Sequence, residues 1–148
     1  MWRIAWLLAG LAPIATTALA FASAAGGRST IRITVAPSSG NGRSHFAVSF
    51  RAPQQTGASG SLVRHYRVSA SGGSGRRCES NASVFVPETR RGQHVRVVLA
   101  PPGPFHTWCA GKFAGVLQEV SQPVCPEGKL CPLFIAIETV GRFSFRVA

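Results

Sequence analysis

The chain has 148 residues, 45% of them hydrophobic, with 16 Lys+Arg against five acidic residues and a formal net charge of +11. That length supports one domain with one core and excludes two. Fourteen of the bases are Arg and all five acids are Glu, a balance that fits an anionic partner but fits a GC-rich coding sequence as well, so charge alone assigns no ligand.

Residues 1–25 are expected to be a secretory signal. Arg3 supplies the positive start, 4–20 are apolar with few interruptions, and Ala22-Ser23-Ala24 is the small-x-small pattern that signal peptidase reads. Pro13, Thr16, Thr17 and the many alanines make the run weakly hydrophobic for a span, and no cysteine follows it to carry a lipid. Cleavage near Ala24 or Ala25 would place 26–148 outside the cytoplasm as a single domain, with no transmembrane segment in the mature chain.

Past a short tail, 30–35 alternates, with Ile31, Ile33 and Val35 on one face, which is the period of a half-buried strand. Turn residues fill 37–42, and 44–51 alternates again with Phe46, Val48 and Phe50 inward. A Gly/Ser/Gln loop is expected over 53–60. In 62–70, Tyr66 and Val68 are the core candidates, and the Ser-Gly-Gly-Ser-Gly run at 71–75 reads as a loop. A short strand at 82–86 ends at Pro87; a cleaner one at 93–99 aligns Val95, Val97 and Leu99 before Pro101-Pro102-Gly103-Pro104 stops it. The central strand is expected over 107–120, with both faces substantially covered and with bulges or a close neighbour at Gly111 and Gly115. The last, 133–147, should break near 139–141 and return Phe143, Phe145 and Val147 to the core. No amphipathic helix follows Ala25.

Four cysteines in an exported chain predict two disulfides. Three connectivities are possible. Cys78 with Cys109 and Cys125 with Cys131 is the favoured pairing, since the second pair brackets the short turn Pro126-Glu127-Gly128-Lys129-Leu130. A zinc site is disfavoured: no C-x-x-C occurs and the histidines do not cluster at ligand spacing.

About seven short strands joined by Gly/Pro/Ser turns predict an all-β, antiparallel two-sheet sandwich, stapled by disulfides. The stretches I-T-V-A-P-S-S-G at 33–40, F-A-V-S-F at 46–50 and V-G-R-F-S-F-R-V at 140–147 resemble the small immunoglobulin-like or fibronectin type III-like modules that bacteria export. The resemblance implies a fold, since such modules serve adhesion, spacing, carbohydrate binding and inhibition alike. The chain departs from the antibody pattern in placing Cys78 after the third strand and in having no Tyr two residues before Cys109.

No G-x-S-x-G elbow, phosphate loop or dinucleotide fingerprint occurs, the four histidines fall in four separate segments, and the glutamates are widely spaced. The expectation is therefore a non-catalytic protein without cofactor, acting as a binding or structural module of the cell envelope or extracellular space. Arg64, Arg67, Arg76, Arg77, Arg90, Arg91 and Arg96 are the candidate contacts to an anionic envelope polymer. Nucleic acid is disfavoured by export and by the lack of an aromatic-basic recognition motif. A secreted protein is the alternative partner: the disulfide-closed loop presenting Lys129 and Leu130 resembles the binding loops of secreted protease inhibitors, with Lys129 entering a trypsin-like specificity pocket. Asn81-Ala82-Ser83 matches a glycosylation acceptor.

Overall fold

The structure, a computed structural model, describes residues 31–125, 128 and 134–148. The expected signal segment and most of the 125–131 loop, including Lys129, Leu130 and Cys131, lie outside the described residues. Within them the chain is all β. Its strands are β1 (Thr34–Ala36), β2 (Ser39–Gly40), β3 (Phe46–Arg51), β4 (Gly57–Ser59), β5 (Leu62–Ser74), β6 (Asn81–Val86), β7 (His94–Leu99), β8 (Ala110–Pro123) and β9 (Ala136–Val147). They form two sheets, a small one in the order β1-β3-β7 and a large one in the order β2-β9-β8-β5-β4, with β6 also on β5.

Alternation builds the small sheet. Phe46, Val48 and Phe50 of β3 and Val95, Val97 and Leu99 of β7 all turn inward and are buried, as expected from their period of two. Against them the large sheet sets cross-strand rows: Val68 beside Leu117, Ala70 beside Gly115, and Phe113 beside Phe145. An aromatic cluster closes one end of the core, with the Phe46 and Phe145 rings stacked 4.0 Å apart and Trp108 edge-on to Phe113 at 5.2 Å. The Trp108 indole N–H donates to the Ser44 carbonyl at 2.9 Å, which satisfies its one polar atom inside the core.

Several expectations need correction. Nine strands occur among the described residues where about seven were expected, because β2 and β4 are short, exposed edge pieces held by backbone pairing and carry no apolar alternation. The pairing of β2 with β9 is parallel, so the sheets are not wholly antiparallel. The strand expected over 62–70 continues through the glycine run to Ser74. Here β5 packs so closely on β8 that a Cβ at Gly73, whose φ is +64°, would stand 2.8 Å from Cys109. Glycine is what allows the strand to pass. The central strand begins three residues later than expected, at Ala110; its inner face is covered throughout, whereas its outer face is exposed at Ala110, Lys112 and Ala114, half-buried at Val116 and Gln118 and buried at Val120, so both faces are covered only over 116–120. At Gly115 the neighbour is the Phe143 ring, which fills the space a side chain would take. The break expected in the last strand is a register shift opposite Leu117 and Gln118.

Cys78 and Cys109 form a disulfide, Cα atoms 4.9 Å apart, tying the connection after β5 to the start of β8. The same junction is reinforced by backbone bonds from Glu79 N–H to Thr107 and from Cys109 N–H to Glu79, and by Trp108 N–H to Gly42.

A polar cleft beneath the overhang of the large sheet

Strand length decides where the surface becomes concave. The 14 residues of β8 extend about 46 Å, whereas the six of β3 extend about 20 Å. The small sheet therefore covers only part of the inner face of the large one. Past Tyr66, whose ring meets Phe50 edge-on at 5.6 Å, β5, β8 and β9 run on without a facing sheet. The 53–59 segment crosses beneath them from β3 to β4, leaving a cleft of about 890 Å³.

The inner face of the large sheet turns polar at this point. One cross-strand row reads Tyr66, Glu119, Glu138, a buried phenol followed by two carboxylate-bearing positions on adjacent strands. Glu119 continues the inward parity of Phe113, Gly115 and Leu117 and is 8% exposed. Its Oε1 lies 4.0 Å from Nε of Arg64, while Oε2 has no hydrogen-bond partner. Burying a carboxylate oxygen without a partner is unfavourable, so Oε2 marks a position in the cleft where a hydrogen-bond donor would be accepted. Arg64 donates onward to Gln54 at 3.4 Å.

The floor beside it is firmly built. The Gln54 N–H donates to the Tyr66 hydroxyl and that hydroxyl donates to the Gln54 carbonyl, each at 3.2 Å. The buried Thr56 and Thr89 hydroxyls pair at 2.9 Å and join the crossing segment to the β6–β7 connection. Burial pushes the Tyr66 phenol above its ordinary range; the Gln54 bond pulls the other way, and the nearby Glu119 charge adds to the rise. Arg91 reaches the cleft from the β6–β7 connection, and Arg142 borders it on β9. The arrangement can hold a hydrogen-bond donor near the carboxylates and an anion near the guanidinium groups.

The seven candidate arginines divide between this cleft and other places. Arg64 and Arg91 both line it. Arg90, beside Arg91 in the same connection, has its backbone N–H bonded to Gln93. Arg67 stands on the opposite face of the large sheet, where it grips Gln118 Oε1 through Nε at 3.0 Å and Nη2 at 2.7 Å. There it borders an apolar groove of about 480 Å³ with Val63, His65, Phe85, Val120 and Ile137. The His65 ring sits edge-on to Phe85, and burial, aided by the Arg67 charge, holds its imidazole below the ordinary value of 6.5. Arg96 points outward from β7, and Arg76 and Arg77 follow the far end of β5. Glu119, Glu138 and Arg142 were not singled out from sequence. The available signal was a charge at an inward position of an alternating strand, which Glu119 provides.

Among the described residues no helix is long and apolar enough to cross a membrane, and no group of three or more His, Cys, Asp or Glu is placed to hold a metal ion. Set against known proteins, the chain matches no family model, no curated sequence and no solved structure.

Proposed function

We propose that this protein is an exported, non-catalytic binding module of immunoglobulin-like architecture, and that the cleft under the overhang receives an anionic polymer of the cell envelope. The strand order supports the architecture. In an immunoglobulin sandwich one sheet carries A, B and E, and the other carries G, F, C and, in variable-type domains, C′. Here β1-β3-β7 corresponds to the first set and β9-β8-β5-β6 to the second. The disulfide departs from that plan, linking the C–C′ connection to the start of F rather than B to F.

The observation that carries the binding reading is the convergence of Arg64 and Arg91, distant in sequence and on different elements, in one cleft. Glu119 and Glu138 in the same cleft favour an anion spaced along a hydrogen-bonding chain over a densely charged one, because a bare polyanion would meet the carboxylates as well. The test compares Arg64→Gln/Arg91→Gln with Arg96→Gln/Arg146→Gln for binding to oligogalacturonate. Both doubles remove the same charge, but only the first touches the cleft. Loss confined to the first pair supports the reading; equal losses would mean that only net charge matters.

A further inference from the structure

The end of the molecule opposite the cleft carries a second hollow, lined by an arginine and two histidines. Arg43 and His45, just before β3, face Ala100 and Pro101, just after β7, across the 105–107 segment; together they line a space of about 600 Å³ that also includes Phe105, His106 and Thr107. Three of its side chains, Arg43, His45 and His106, are guanidinium or imidazole, and none of the lining residues is acidic. The carboxylate packed against this loop, Glu79, has Oε1 engaged by the Phe105 N–H at 3.3 Å.

The walls of the hollow are braced. Trp108 clamps the 42–44 segment through two bonds, its backbone N–H to Gly42 at 2.7 Å and its indole N–H to Ser44 at 2.9 Å. Asn41 closes that segment on itself, accepting from the Arg43 N–H at 2.9 Å through its side-chain oxygen, while its own N–H donates to the Ser44 hydroxyl at 2.8 Å. The disulfide and the Glu79–Thr107 bond fix the other wall. His106 is held at φ +49°, a left-handed conformation uncommon outside glycine. Phe105 is 47% exposed beside Pro101, an apolar surface suited to the face of a sugar ring.

We infer that this braced end is a second binding seat, for an acidic saccharide whose anionic group is held by Arg43, His45 and His106 and whose ring lies on Phe105 and Pro101. The braced backbone means that little main-chain freedom is lost on binding. Along β8 the two ends stand about 30 Å apart, from Ala110 to Glu119, so a short oligomer fills one seat at a time and a long polymer links separate molecules. The second seat extends the proposed function, since it makes the module bivalent, and it stands or falls separately from the cleft.

Titration calorimetry of the full mature chain with short oligogalacturonate tests it. Two sites are expected per molecule. The triple variant Arg43→Gln, His45→Gln, His106→Asn should reduce the stoichiometry to one; Asn is chosen because it tolerates the left-handed backbone. An unchanged melting temperature would show that the variant is folded. Phe105→Ala should weaken the second site by about tenfold. Tripolyphosphate, which has charge but no ring, should bind this seat less tightly than the saccharide. Two sites surviving in the triple variant, or tripolyphosphate binding as tightly as the saccharide with Phe105→Ala without effect, would overturn the inference while leaving the cleft untouched. Conversely, loss of the cleft site alone in Arg64→Gln/Arg91→Gln supports two independent seats, and failure of that pair to remove any site tells against the cleft and not against this hollow.

Discussion

Two side chains make stability depend on pH in opposite directions. Tyr66 is fully buried and its phenol is pushed up by desolvation, so the unfolded chain releases that proton first as pH rises. Its contribution is fully present below about pH 10 and is lost as pH climbs from there toward the folded value. Tyr66→Phe, which keeps the ring, should flatten the alkaline fall measured by urea unfolding while costing about 1 kcal/mol at neutral pH for the lost Gln54 bonds. An unchanged alkaline slope would show that the phenol does not govern it. His65 is held down by burial and then by Arg67, so the unfolded chain takes up a proton that the folded chain resists. Its contribution is present above pH 6.5 and falls away below it toward the folded value. His65→Gln should therefore make the profile between pH 7 and 5.5 shallower, read from the same titration.

Among the elements, β5 and β8 depend on a small number of contacts at their shared end. The disulfide closes a span of 31 residues, which in the chain-entropy view contributes about 3.7 kcal/mol. Replacing both Cys78 and Cys109 by Ser should cost about 2 to 5 kcal/mol, with loss of the same size on reduction of this bond in the native chain. A change below 1 kcal/mol would mean that the hydrogen bonds of Glu79 and Trp108 hold the junction unaided. Gly73→Ala tests the strand passage itself: the added methyl meets both the left-handed backbone and Cys109, so a loss of about 2 kcal/mol or more is expected in chemical denaturation. Residues 71–74 read as a loop in sequence because glycine and serine carry no alternation; they form strand because β8 supplies the backbone partners.

For the whole molecule, the two proposed seats at opposite ends of one β framework predict behaviour that net charge alone does not. Long polygalacturonate should produce turbidity that peaks at an intermediate protein-to-polymer ratio and dissolves when either end is altered, because bridging needs both. Raising ionic strength should abolish it, since the screening length falls to about 8 Å at 0.15 M and less above that. Turbidity that persists with one end altered would point to non-specific coacervation of a basic protein.

The all-β, two-sheet character and much of the core could be read from the sequence, because inward side chains in a strand recur with a period of two and Phe46, Val48, Phe50, Val95, Val97 and Leu99 keep that period without interruption. The Cys78–Cys109 pairing was legible for a different reason: Cys125 and Cys131 bracket a short turn that is easily closed, which leaves Cys78 for Cys109. What sequence could not determine was how the elements overlap. Whether Arg64 and Arg91 line one cleft, whether Arg67 faces the other way, and whether Arg43, His45 and His106 share a hollow all depend on strand register and on which sheet is longer. Those are properties of pairing between distant segments, where a shift of one residue exchanges the two faces of a sheet. The local pattern fixes which face of a strand is apolar, and only the tertiary structure decides what stands opposite the part that the smaller sheet fails to cover.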